Sequence, residues 1–231
     1  MKHLFFLISV FVIVILSGCK SNSTTTPPGP TVVIPNVGST WIIQNVRLDS
    51  NNVVKKIDTS TRYVGATNMT IAPYNDVVMT YETNPVTGKN DTVYLRYLSN
   101  GDIAHLSSPA IDPQLPQWLI APFYTHTAQN FNYGGNISYL GFTYDTVTFS
   151  ASYVKNDNDT IAGIVYPASF VMTTTTQKAT SSSKDSTNLN TQTNSFIPSK
   201  GFFGGRNVSM NQVNGKQVQR VVQTVLSVNL K

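Results

Sequence analysis

Between Gln217 and Leu230 the side chains alternate. Val218, Val222, Leu226, Val228 and Leu230 fall on one side of an extended backbone, and Gln217, Gln219, Gln223, Ser227 and Asn229 on the other. A period of two over so many residues marks a half-buried antiparallel strand. The same period recurs at Val77, Met79 and Tyr81, at Val93, Leu95 and Tyr97, and at Val147, Phe149, Ala151 and Tyr153. Beyond the first nineteen residues no segment carries a convincing 3.6-residue period. Composition points the same way. Glu82 is the only glutamate, and charged residues make up 12% of the chain, against about 25% in average soluble proteins. Polarity comes from Ser, Thr, Asn and Gln. Threonine suits pleated sheet and asparagine suits turns, while Glu and Lys, the usual surface helix formers, are scarce. The chain is therefore expected to be all-β and antiparallel.

Turn signals divide it into short strands. Trp41 to Leu48 reads as a strand and Asp49 to Asn52 as a turn; strands follow over 53–57, 61–66, 77–83 and 92–98. Ser99-Asn100-Gly101-Asp102 is a hairpin signal, because Asn-Gly tolerates positive φ, and 103–106 is its return strand. Residues 107–136 are less regular, with a short helix expected near Gln117 to Ala121. Ile137 to Val154 reads as an aromatic strand region broken near Gly141, Asn156 to Asp159 as a turn, and 170–180 and 188–197 as strands. Gly201 to Gly205 reads as a corner, and Asn214-Gly215 as a second hairpin turn.

The amino-terminal end reads differently. Lys2 precedes an apolar run from Leu4 to Leu16, broken only by Ser9, and the small pair Ser17-Gly18 precedes Cys19, the only cysteine. As a helix the run spans roughly 20 Å, short of a bilayer core of about 30 Å, so it reads as an export signal. Leu16-Ser17-Gly18-Cys19 resembles the lipobox of bacterial lipoproteins. That resemblance implies cleavage before Cys19 and fatty acylation of its sulfur and new amino group. Lys20, where an aspartate would retain such proteins at the inner membrane, implies sorting to the outer membrane. The expected organisation is a signal peptide over 1–18, a lipidated cysteine and Pro-rich tether over 19–36, and one β domain over 37–231. With one cysteine no intrachain disulfide is available, so stability rests on burial.

Most chemistries find little support. The formal charge is +5, but the basic residues are scattered and Lys55-Lys56 is the only adjacent pair; nucleic acid would require a dense basic face. Two histidines follow the signal, His105 and His126. Asp102 lies near His105 in sequence, yet a hairpin-end histidine is the better reading, and no metal site or cofactor is expected. No Gly-x-Ser-x-Gly elbow is present. Ser181-x-x-Lys184 matches a penicillin-binding pattern by letter only, and Gly201, Gly204 and Gly205 lack the spacing of a phosphate cradle. Asp157-Asn158-Asp159 could offer oxygen ligands to calcium, with a solvated turn as the plainer reading; the 87–91 loop is the same case. The aromatics between Trp118 and Tyr153 either form core or line an apolar cleft, and the candidates for such a cleft are Trp118, Phe123, Tyr124, Tyr139 and Phe142.

Three stretches resemble a group of lipoproteins from Bacteroidota: the opening Val37-Gly38-Ser39-Thr40-Trp41; the Val93-Tyr94-Leu95-Arg96-Tyr97 to Asn100-Gly101-Asp102-Ile103 hairpin with Trp118-Leu119-Ile120-Ala121-Pro122-Phe123; and Phe196-Ile197-Pro198-Ser199-Lys200-Gly201 before a closing strand. The resemblance implies a strongly curved antiparallel sheet or half-barrel, the alternative being a β-sandwich, and implies no activity. Asp91-Thr92-Val93, Asp145-Thr146-Val147, Asp159-Thr160-Ile161 and Asp185-Ser186-Thr187 resemble the O-glycosylation signal of exported Bacteroidota proteins, which would modify Thr92, Thr146, Thr160 and Ser186. The expectation is a non-enzymatic, lipid-anchored envelope protein that carries an apolar molecule or serves an envelope complex. A hydrolase using a histidine and a purely structural surface lipoprotein are the alternatives. The expected partners are the membrane, through the anchor, and an apolar ligand or envelope protein.

Overall fold

The structure, a computed structural model, describes residues 31–83, 90–108, 117–139, 142–179, 186–201 and 203–231, without the side chains of 107, 108, 117, 136–139, 142 and 203. Twelve strands lie within the described residues: β1 (Thr40–Leu48), β2 (Val54–Ile71), β3 (Tyr74–Thr83), β4 (Asn90–Tyr97), β5 (Ile103–Ser108), β6 (Gln117–Ala121), β7 (Gln129–Tyr139), β8 (Phe142–Ile161), β9 (Ile164–Ala179), β10 (Ser186–Phe196), β11 (Phe203–Val213) and β12 (Lys216–Asn229). One 3₁₀ turn, Pro198–Lys200, interrupts them.

All twelve form one antiparallel sheet in the order β6-β5-β4-β3-β2-β1-β12-β11-β10-β9-β8-β7. The first and last strands pair at its centre, and the two edges, β6 and β7, are consecutive in the chain. The sheet curls until these edges approach, which gives a nearly closed barrel rather than a sandwich. Across the gap the β6 amide of Ile120 donates to Gln129 Oε1 of β7 at 2.9 Å.

Several elements differ from the sequence reading. The segments 53–57 and 61–66 are joined from Val54 into one strand, because Asp58, Thr59 and Ser60 between them pair without a break with Asn45, Gln44 and Ile43 of β1. Gln117 to Ala121 is extended, held by pairing of Leu119 with His105 and Ala121 with Ile103. Asn156 to Asp159 is not a turn: these residues pair with Ser169 to Tyr166, and the chain reverses only at Ala162-Gly163, both at positive φ. The Asn214-Gly215 turn has positive φ at both residues, whereas at Asn100-Gly101 only Gly101 does.

The concave face is layered. At one end it is apolar and closed by Trp41, Ile43, Leu95, Ile103, Leu119, Phe123, Phe196 and Val225, all buried; the Phe123 and Phe196 rings meet at 4.7 Å. Further along the strands the same face turns polar. Asn45, Gln223, Asn207 and Asn194 occupy one layer by register, and Val221, Ser209, Gln192 and Thr173 the next.

The closing strand therefore departs from its simple alternation. A bulge at Leu226 of β12 shifts the register, so that Ile42 of β1 pairs with Ser227 and Ile43 with Val225. Val228 and Leu230 pack on the core, as does Val225, while Leu226 and Val218 are turned to solvent. Gln219 and Gln223, expected outside, point into the barrel, while Gln217, beyond a second register shift, bonds to the turn at Asp49 and Asn52.

Candidate functional site

The polar layers enclose an open cleft of about 520 Å³. It lies between the apolar plug and the turns at Asp49–Val53 and Asn214-Gly215. Of the thirteen residues around it, ten carry a polar group; Val93, Leu106 and Val221 do not. The wall from β10, β11 and β12 supplies Gln192, Asn194, Asn207, Ser209 and Gln223; Thr173 comes from β9, Arg62 from β2, Val93 from β4 and His105 from β5, while the Tyr94 and Leu106 side chains pack on the convex side.

The floor is an ordered hydrogen-bond relay that ends on the only glutamate. Asn207 Nδ2 donates to Gln223 Oε1 at 3.0 Å. Gln223 Nε2 donates to Asn45 Oδ1 at 2.9 Å and more weakly to Glu82 Oε1 at 3.5 Å. Asn45 Nδ2 donates to Ser60 Oγ at 3.0 Å, and Ser60 Oγ to Glu82 Oε1 at 2.9 Å. Arg62 forms an ion pair with Glu82 Oε2. Satisfied networks of this kind hold their members in fixed orientations in a low-dielectric interior. The far end is left open: Asn207 Oδ1 is buried and has no hydrogen-bond partner among the described residues. An unpaired buried carbonyl is costly, and the residue that carries it borders the cleft.

His105 reaches the cleft from β5. Burial alone pushes its imidazole down to about 4, with no carboxylate acting to raise it. Asp102, its neighbour in sequence, is committed elsewhere. Its Oδ1 accepts from the amides of Tyr124 at 2.8 Å and Thr125 at 3.1 Å, and its Oδ2 from Thr125 Oγ1 at 2.6 Å. His126 lies on the exposed 122–128 connection at positive φ and stacks on Tyr153 at 3.6 Å. No group of three His, Cys, Asp or Glu side chains able to hold a metal occurs among the described residues.

The five aromatic candidates do not gather at the cleft. Trp118 is on the opposite, convex face, in a small cluster with Val77 and Ala104. There Tyr74 meets it edge-on at 5.8 Å, and Arg96, paired with Asp76 at 2.6 Å, lies 3.4 Å over the Tyr74 ring. Phe123 is in the plug. Tyr124 is half-buried behind Asp102. Tyr139 and Phe142 are backbone partners at the end of the β7–β8 hairpin, and their side chains lie outside the described residues. Of the two readings of these aromatics, Phe123 follows the core one, and neither Trp118 nor Phe123 lines this cleft. The cleft is lined instead by amides, of which the strand-by-strand reading places Gln223 on the polar side of the last strand. The signal that could have found them was the clustering of Asn and Gln in β10, β11 and β12.

The remaining candidates are dispersed. Thr92 is exposed on β4 at the cleft; Thr146 is half-buried in β8; Thr160 is exposed near the β8–β9 turn; Ser186 opens β10. Asp157 pairs with Lys155, and Asp159 accepts from Ser195 Oγ and from the amide of Arg206 at 3.0 Å, so the two carboxylates serve different partners. Cys19 and the Ser181-x-x-Lys184 stretch lie outside the described residues.

Among solved structures the chain is similar to one from Bacteroides fragilis described as an exported protein with a YmcC-like fold, at 10% identity and a TM-score of 0.47, covering 86% of this chain and 99% of that one. It is also similar to one from Parabacteroides distasonis described as a lipoprotein, at 12% identity and a TM-score of 0.43, with the same coverages. No protein-family model matches the chain, and no curated protein does.

Proposed function

We propose that the protein is a lipid-anchored binding protein of the cell envelope, held at the outer membrane through Cys19, whose cleft takes an uncharged, hydroxyl-rich molecule of the saccharide class. The observation that carries the reading is the lining of the cleft. Neutral amides and hydroxyls from β9, β10, β11 and β12 stand there beside short apolar patches at Val93 and Val221. A sugar presents the same mixture, with hydroxyls that donate and accept at its rim and C–H groups on its faces. A fatty chain would strip water from Asn194, Asn207 and Gln192 and return no hydrogen bond, at roughly 1–3 kcal/mol for each group. The lining therefore argues against the apolar carrier expected from sequence. Anchoring is supported by the Leu16-Ser17-Gly18-Cys19 tetrad, and one acyl chain alone would bind only weakly, so the reading calls for more than one. Binding without catalysis is supported by the histidines, since burial alone acts on His105 and His126 is exposed and stacked on Tyr153.

The test is titration of the protein with neutral oligosaccharides of glucose, mannose, galactose and N-acetylglucosamine, and with oleate, following Asn and Gln side-chain amides by NMR. At least one saccharide is expected to shift the amides of Gln192 and Asn194. Gln192→Leu, which removes a cleft amide that makes no described bond, should weaken that saccharide about tenfold, worth about 1.4 kcal/mol. Oleate shifting these amides while every saccharide leaves them unmoved would overturn the reading.

A further inference from the structure

The closed end of the barrel carries exposed apolar side chains that the core does not use. The β8–β9 hairpin runs past the plug and presents Ile164 and Val165 at its tip, 58% and 60% exposed. Beside it, the segment before β1 presents Ile34 and Val37, 53% and 54% exposed. The two are tied to one end of the molecule. The amide of Val33 donates to the carbonyl of Pro198 at 3.0 Å, and Lys200, in the same 3₁₀ turn, lies 4.9 Å over the ring of Tyr166, next to Val165. Pro35 is fully buried between them, so the chain enters the fold here at a fixed place.

We infer that this closed end is a membrane-facing surface, with Ile34, Val37, Ile164 and Val165 resting in the interface of a phospholipid bilayer and the cleft mouth turned away from it. The inference rests on the anchoring through Cys19 proposed above. What selects the occupant is the length of chain between anchor and fold. Twelve residues, Lys20 to Thr31, connect Cys19 to the entry point. Fully extended they reach at most about 43 Å. Val54, Ile57 and Val218 are also exposed, but they sit at the other end of β1 and β12. The nine residues of β1 alone span about 30 Å. Laying that far end on the membrane would leave the entry point at least that high and would draw the connection to most of its full length, at a cost in chain entropy. Laying the near end down needs no extension. It also removes four large apolar side chains from water, the same kind of burial that drives interfacial association.

The experiment uses the full lipidated chain, made in a bacterium that acylates lipoproteins and reconstituted into phosphatidylethanolamine–phosphatidylglycerol vesicles with brominated acyl chains. A bimane label is placed on Val165→Cys, on Ile164→Cys as an independent second site, or on Val218→Cys at the opposite end. Bromine should quench the label at 165 and 164 at least twofold and leave the label at 218 unchanged. Labels at 165 and 164 that are unquenched, or quenching at 218 as strong as theirs, would overturn the inference. Incorporation of labelled palmitate is measured on the same preparations. Its absence defeats the anchoring and the docking together, whereas its presence with unquenched labels at 164 and 165 defeats the docking alone.

Discussion

His105 and Asp102 stand three residues apart and illustrate two ways in which a buried polar group is tolerated. His105 stays uncharged. Its pKa is pushed down by burial to about 4, against about 6.5 in an unfolded chain. Above pH 6.5 neither state binds the proton and stability is unaffected. As pH falls from 6.5 to 4 the unfolded chain takes up a proton that the native state refuses, so stability falls, and below 4 the loss is complete. Water in the cleft screens the effect, and a loss of roughly 1–3 kcal/mol is expected. Asp49, Asp76 and Asp157 are held below the usual carboxylate range by Lys55, Arg96 and Lys155, so their contributions vanish only at lower pH. Urea midpoints between pH 7.5 and 4.5 should therefore slope downward in the wild type and flatten in His105→Gln; equal slopes would refute the assignment. Asp102 instead has its carboxylate oxygens taken up by hydrogen bonds, three of which fasten the 122–128 connection. Asp102→Asn turns part of that acceptor set into donors facing donors. It should cost about 2–4 kcal/mol in denaturant unfolding while leaving saccharide binding, in a fully folded sample, within a factor of two.

At the scale of the element, the β8–β9 hairpin and its contact with β11 set the closed end. Asp159 and Thr160 lie against Gly204 and Gly205. A Cβ at Gly205 would overlap the carbonyl of Thr160 and come within 2.9 Å of Asp159 Oδ1, and one at Gly204 would meet Ser195 Oγ at 2.6 Å. Backbone cannot yield as a long side chain does, so Gly205→Ala should push β8 from β11 and destabilise by about 1–3 kcal/mol. Calorimetry reads this directly, and an unchanged Tm would show the approach to be loose. This contact also explains part of what the sequence could and could not convey. Period two made the strands of β4 and β8 legible, since Val93, Leu95 and Tyr97, like Val147, Phe149 and Ala151, do face inward. It misled only as to which face is inside at β3, where Val77, Met79 and Tyr81 do share a face but the convex one, and Val78, Thr80 and Glu82 face in. It misled again in β12, where one bulge changes which parity is inside. Bulges are set by the partner strand, and a single strand's pattern holds no record of them. Asn156 to Asp159 looked like a turn because turn-forming residues fill it, yet here Asn156 and Asp159 bond across to Ser169 and to Ser195 and Arg206.

At the scale of the molecule, the curvature that makes a cleft also leaves a seam. The strand count and order bring β6 and β7 face to face, but β6 is five residues long and β7 eleven, so the two cannot zip along their length. The bond from the Ile120 amide to Gln129 Oε1 fills one ladder position with a side chain, and the Asp102 anchor holds the intervening connection against the gap. If this stitch keeps the edge of β6 in place, its removal should loosen β6 without unfolding the sheet, because β5 still pairs with β6 from the other side. Gln129→Ala is therefore expected to leave the global unfolding midpoint nearly unchanged and to raise native-state amide exchange at Ile120 by about tenfold, the equivalent of about 1.4 kcal/mol of local opening. Amides of β1 and β12, at the opposite side of the barrel, should keep their protection. Faster exchange spread over all twelve strands would mean that the seam is part of the global cooperative unit, and unchanged exchange at Ile120 would mean that β5 alone holds the edge.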